Sequence, residues 1–195
     1  MSALFLHGII RKPPRFIYIT SEQREKVAKT LTSELEQDNI DNAFSKHHRQ
    51  TNAKCSYKGI EITLLNGMFT NRTGVMNLSD KPTTSLERTL IDITVRPSYG
   101  GGATEVLKAF ISAKDKIDAD VLVSYLDRFD YTYPYYQSIG FYLEKAEYNT
   151  LQIPKLKKRK KFVDFYLDYA IEEPAYSKDW RLFYPKNLEK ENLNM

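Results

Sequence analysis

Cysteine is almost missing from this 195-residue chain: Cys55 is the only one. That excludes an intramolecular disulfide and any metal site built from a cysteine cluster. Long hydrophobic runs are missing too, since no apolar stretch approaches the roughly 20 residues needed to span a bilayer. Residues 1–10 are apolar but carry no charged leading region and no small-residue cleavage site, which makes a poor signal peptide. The expectation is a cytoplasmic protein with no membrane partner. Charge of one sign is not in large excess: 29 basic residues face 25 acidic ones, for a net charge of +4. This balance permits contact with DNA or RNA without requiring it. What is present is an ordinary globular composition, 42% hydrophobic and 28% charged, in a length that suits one domain with its own core. The 14 tyrosines and 10 phenylalanines suit half-buried positions, because tyrosine joins a large apolar ring to a polar tip.

The pattern along the chain changes twice. Residues 2–7 read as the end of a helix, and Pro13 and Pro14 as a turn. Residues 16–20 read as a strand, and Ser21 as the N-cap of a charged helix with Val27, Leu31 and Leu35 on one face. Residues 44–48, 59–65 and 75–78 read as further strands. Helices then dominate. One begins near Leu86, with Thr84 and Glu87 spaced as a capping box and Pro97 marking its end. Others follow over 103–114, from the cap Asp118, and from Pro134, with Gly140 read as a close helix–helix contact. Residues 162–168 and 180–185 return to strand patterning, with a loop over 172–178 between them. The predicted fold is α+β: a mixed or antiparallel sheet from N- and C-terminal strands against a central block of about four helices. Residues 1–185 make a single domain, and 186–195 a polar tail.

Few groups of residues promise chemistry. Residues 99–102, Tyr99 and three glycines, stand before a helix, where free backbone N–H groups could cradle phosphate. The loop does not follow a strand and lacks the P-loop lysine, so a turn needing positive φ is the simpler reading. His47 and His48 are adjacent and would point to opposite faces of a strand, which is poor geometry for a metal. Arg88 and Asp92, four apart on a helix, form either a recognition surface or helix support. Asp164 and Asp168 share a predicted strand, but no strand carries Glu-x-Lys, so a metal-dependent nuclease is an outside reading. No G-x-S-x-G elbow occurs, and Cys55 has no evident histidine partner. The sharpest charge feature is the run Lys155, Lys157, Lys158, Arg159, Lys160 and Lys161 around Leu156. It reads either as a polyanion-binding element, with Tyr131, Tyr133, Tyr135 and Tyr136 upstream available for stacking, or as a solvated loop before a strand.

Taken in order, several stretches resemble the C-terminal region of AbiEi-family antitoxins. Residues 2–8 are similar to the segment after that family's winged helix, and 16–20 to the strand that follows. Residues 84–92 with Arg96, Pro97 and residues 99–101 are the most specific match; 133–144, 165–167 and 180–185 continue it. The resemblance implies a transcriptional-regulator effector domain that counters a neighbouring nucleotidyltransferase-like toxin in a type IV toxin–antitoxin system, a form of abortive phage defence. It implies no enzymatic activity and no cofactor. It also places residues 1–10 as the remnant of a linker after a winged helix that this sequence does not contain, which leaves promoter binding open. The expected partner face comprises Arg88, Asp92 and Arg96 with Tyr99, Tyr133 and Tyr135. A nucleic-acid-binding module using residues 155–161 is the alternative.

Overall fold

The computed structural model describes residues 1–25 and 35–189. The chain opens with a short helix α1 (Ser2–Leu6) that buries Leu4. Strand β1 (Phe16–Glu22) follows and runs through Ser21, so Ser21 extends the sheet rather than capping a helix. Val27 and Leu31 of the expected charged helix lie outside the described residues; Leu35 packs half-buried against the core. No strand forms over 44–48: helix α2 (Gln37–Phe44) ends at Phe44, and residues 45–48 are a turn and irregular chain. The buried residues of α2, Ile40 and Phe44, are one turn apart, so this stretch has a helical period, which an aromatic beside two histidines disguises.

Strands β2 (Lys54–Tyr57) and β3 (Ile60–Gly67) form a hairpin through Lys58 and Gly59, both at positive φ, as a tight two-residue turn requires. β3 also pairs in parallel with β1, from Phe16 opposite Glu61 to Glu22 opposite Gly67. The result is a mixed three-stranded sheet in the order β1-β3-β2. Strands β4 (Val75–Leu78) and β5 (Lys81–Thr84) make a second hairpin that leads directly into the helical block.

That block comprises α3 (Leu86–Val95), a one-turn α4 (Pro97–Gly100), α5 (Ala103–Ala113), α6 (Ala119–Phe129), α7 (Tyr135–Lys145) and α8 (Gln152–Lys158). The cap of α3 is Ser85, whose side chain accepts from the Arg88 N–H; Thr84 instead exchanges a hydroxyl hydrogen bond with Thr89. Asp118 caps α6 through the N–H groups of Asp120 and Val121, as its position before an apolar period suggests. Helix α7 is buried on nearly every side, from Tyr135 to Leu143, which places it at the centre of the core. α8 falls where a loop was expected. Its Pro154 sits in the first turn, where proline removes no intrahelical bond, and Leu156 is fully buried.

The third sheet is again mixed: β6 (Phe165–Tyr166), β7 (Pro174–Ser177) and β8 (Leu182–Pro185), in the order β6-β8-β7. The strand expected over 162–168 shrinks to two residues, and the expected loop at 172–178 supplies β7. A 3-10 turn (Lys186–Glu189) buries Leu188, so the core reaches past the expected boundary at 185. The architecture is α+β, with strands on either side of a helical block. Gly140 of α7 faces Trp180: a Cβ there would lie 2.2 Å from the indole ring. The close approach read from this glycine is to a side chain of the turn between β7 and β8, not to another helix. Trp180 is fully buried, and its Nε1 donates to Glu144 Oε2 at 2.6 Å.

Candidate interaction surfaces

Helix α3 carries most of the stretch 84–92 singled out in the sequence, and most of it lies inside. Leu86, Thr89, Leu90, Ile91, Ile93 and Thr94 are buried, and so is Arg88, at 5% exposure. The Arg88 guanidinium donates from Nε to Asp92 Oδ1 at 2.8 Å, and from Nη1 to the Thr73 carbonyl at 2.8 Å and to Thr70 Oγ1 at 3.1 Å. Its planar face lies 4.3 Å from the centre of the Phe129 ring of α6. One side chain therefore joins α3, α6 and the turn between β3 and β4. Thr70 passes the contact on, its hydroxyl donating to Glu22 of β1, which also accepts the N–H groups of Thr70 and Arg72. Burial pushes the Glu22 carboxyl up, but these hydrogen bonds and Arg88 outweigh it and hold the group below its ordinary range. Asp92 shows the reverse balance: burial outweighs Arg88 and Arg96 and raises it, although 37% of its side-chain surface stays accessible. Arg88 thus belongs to the interior scaffold and is withdrawn from the expected partner face. Helix α3 as a whole is a hub rather than a surface.

Arg96 is placed differently. It ends α3 immediately before Pro97, which keeps it out of helical geometry and turns its half-buried side chain across the first sheet. Its Nη2 donates to the Asn66 carbonyl at 2.7 Å, one of the five N–H donors a guanidinium has. Around it runs a continuous series of aromatic contacts drawn from every part of the chain. Tyr18 of β1 meets Tyr99 edge-on at 5.2 Å, and Tyr99 meets His48 at 5.5 Å. His48 leans on Tyr169 at 4.8 Å, and Tyr169 stacks on Phe44 at 4.4 Å. Phe44 meets Tyr133, Tyr133 meets Tyr135, and Tyr135 meets Tyr131. The Arg96 charge acts on His48, Asp92, Tyr131, Tyr135 and Tyr169 alike, favouring the deprotonated form of each. Burial dominates at the phenols, so the pKa values of Tyr131 and Tyr135 are pushed far up and both stay protonated donors. His48 is held below its ordinary value by burial and then by Arg96, with Asp168 opposing, and its Nδ1 lies 2.6 Å from Ser98 Oγ.

Of the residues expected here, Asp92, Arg96, Tyr99 and Tyr133 are half-buried along this arc, while Tyr135 is buried beneath it. Tyr18, His48 and Tyr169 complete the arc and were not foreseen. Only His48 stood out in the sequence, as half of a pair. The pair does diverge, since His47 is exposed. The glycine turn is what its composition suggested: Gly101 and Gly102 both take positive φ. The N-terminus of α5 beyond it is already filled by an anion of the protein's own, because Asp168 Oδ2 accepts the Ala103 N–H at 3.0 Å. Asp164 is engaged separately, by Arg181 Nε and the Tyr176 hydroxyl, both at 2.7 Å. Among the described residues, no group of three or more His, Cys, Asp and Glu side chains could hold a metal ion, and no helix is long and apolar enough to cross a membrane.

The basic run spans α8 and the segment after it. Lys157, Arg159 and Lys161 turn inward: Lys157 bridges Glu144 and Asp179, Arg159 forms a two-pronged pair with Asp127, and Lys161 donates to the Lys157 carbonyl. Lys155, Lys158 and Lys160 are exposed. The four upstream tyrosines do not flank this run as a stacking platform. Tyr131, Tyr133 and Tyr135 belong to the arc, and Tyr136 donates its hydroxyl to the Lys160 carbonyl beneath Arg159.

No family model, no curated protein and no solved structure matches this chain. Its function is therefore argued from these two surfaces and from the sequence.

Proposed function

We propose that this chain acts by binding a partner protein, as an AbiEi-like antitoxin effector domain that counters a nucleotidyltransferase-like toxin without catalysis. The observation that carries the reading is the half-buried arc of Tyr18, His48, Tyr99, Tyr131, Tyr133 and Tyr169 around Arg96. Tyrosine and arginine dominate binding hot spots, because they bury large areas at little conformational cost and still satisfy polar partners. Mutual packing fixes the rings before a partner arrives, which lowers the ordering entropy of association. Arg96, with four of its five donors without a recorded hydrogen-bond partner among the described residues, suits a carboxylate or carbonyl of the partner. The arc also contains Arg96 and Tyr99 from the stretch that most resembles the family.

The test is co-expression with a nucleotidyltransferase-like toxin that arrests growth. Wild-type chain restores growth. The double substitution Arg96→Ala with Tyr99→Ala abolishes the rescue while leaving soluble yield unchanged. Growth arrest persisting with soluble wild-type chain, or full rescue by the double variant, would overturn the reading.

A further inference from the structure

The basic run is not a uniform solvated stretch. Its inward members consume the nearby acids: Lys157 takes Glu144 at 2.5 Å and Asp179 at 3.0 Å, and Arg159 takes both oxygens of Asp127, at 2.6 and 3.0 Å. Lys157 and Lys161 also lie 5.5 Å from the Trp180 ring, which anchors the segment to the core. Asp120 is occupied as well, accepting from Gln152 Nε2 at 2.6 Å. The charge left to solvent is that of Lys155, Lys158 and Lys160, for which no ion pair is recorded among the described residues. Beside them Phe162 is 71% exposed, with the Lys160 ammonium 4.6 Å from its ring centre. Lys155 lines a groove of about 590 Å³ between α6 and α8, together with Arg128, Arg159, Ser124, Gln152 and the carboxylates of Asp120 and Asp127.

We infer that Lys155, Lys158, Lys160 and the exposed Phe162 form a binding surface for single-stranded nucleic acid. The lysines neutralise backbone phosphates, and Phe162 offers a face on which one unpaired base stacks. Beside them the groove offers hydroxyl, amide and guanidinium donors to the sugar-phosphate chain, its two carboxylates already accepting from Gln152 and Arg159. An aromatic face has no use in a paired duplex, whose bases are already stacked, and α8 at seven residues is short for a groove-reading helix. A lipid surface is disfavoured because the second exposed apolar side chain, Leu151, stands at the far end of α8. About 10 Å of helix separates the two, with lysines between them. None of these residues belongs to the Arg96 arc, so substitutions here test the surface separately from the partner protein.

The test is fluorescence anisotropy of the full chain with a labelled oligodeoxythymidine of about 12 nucleotides, a mixed-sequence duplex of equal length, poly-glutamate and phosphatidylserine vesicles. Three phosphate contacts predict that affinity for the single strand falls roughly 20-fold between about 50 and 200 mM salt. The triple substitution Lys155→Ala, Lys158→Ala, Lys160→Ala should remove most of that salt dependence. Phe162→Ala should weaken binding at least about fivefold at either salt, with recovery in Phe162→Trp. Trp180 fluorescence checks that these surface variants remain folded. The proposal is overturned by no binding to the single strand. It is equally overturned by equal or tighter binding to the duplex, the vesicles or poly-glutamate, or by a Phe162→Ala variant that binds as wild type.

Discussion

Substitution of Arg88 by Leu tests the claim that α3 is an interior hub. Leucine keeps part of the aliphatic volume and deletes the guanidinium. Lost with it are the bonds to Asp92 and the Thr73 carbonyl at 2.8 Å, the bond to Thr70 at 3.1 Å and the contact with the Phe129 ring. Breaking a buried ion pair by removing one partner costs about 3–5 kcal/mol. Because Asp92 keeps 37% of its side-chain surface accessible, water recovers part of this, and the expected loss is about 2–4 kcal/mol. With a urea slope of about 2 kcal/mol/M, the unfolding midpoint, followed by the fluorescence of Trp180, should fall by about 1–2 M. The defect should also depend on pH. The Asp92 pKa is raised above its unfolded value, so its contribution favours folding at low pH and is lost as pH rises through the folded value. Removing Arg88 takes away a charge that holds the Asp92 carboxyl down, so the deficit should grow as pH rises from about 4, the ordinary aspartate range, towards neutral pH. A midpoint change below about 0.3 M, or a deficit that is flat across this window, would refute the hub account.

Three further outcomes follow from the same geometry. Gly140→Ala drives a methyl to 2.2 Å from the Trp180 ring; overpacking of this kind costs about 3 kcal/mol, and the emission of Trp180 should shift as the indole is displaced. Ser85→Ala should cost about 1 kcal/mol in urea unfolding, because it removes the side-chain acceptor for the Arg88 N–H at the start of α3. His48 is held below its ordinary pKa by burial and Arg96, so its share of stability is full above about pH 6.5 and declines as pH falls below that. His48→Gln should therefore flatten the loss of urea midpoint between about pH 7 and pH 5; an unchanged slope would show that the ring is not desolvated.

Much of the fold was readable because local chemistry and tertiary packing agree. The apolar period over 103–114, the Asp118 cap and the alternation through β3 each specify one element, and each formed there. Legibility failed where a few residues serve two patterns. Phe44 followed by His47 and His48 looks extended, yet Ile40 and Phe44 close a helix. Residues 155–161 look like a solvated loop because lysines outnumber the one residue that matters for packing, Leu156. The arc around Arg96 was legible only in part: Arg96, Tyr99 and Tyr133 were expected on one face, but their joining to Tyr18, His48 and Tyr169 was not. It joins Tyr18, His48, Tyr99, Tyr133 and Tyr169 across more than 150 positions of sequence, and contacts at that separation leave no local period. Arg88 was visible as half of an (i, i+4) pair, but its burial depends on the β3–β4 turn and on Phe129, neither of which the pair announces.

The most direct test is calorimetric titration of the purified chain against a purified nucleotidyltransferase-like toxin of the kind proposed as its partner, comparing wild type with Arg96→Ala. A stoichiometric complex is predicted, with affinity at least about tenfold lower in the variant and a urea midpoint lower by no more than about 0.5 M, the loss expected from the Asn66 contact alone. Heat of binding identical for the two, or none for wild type, would contradict it.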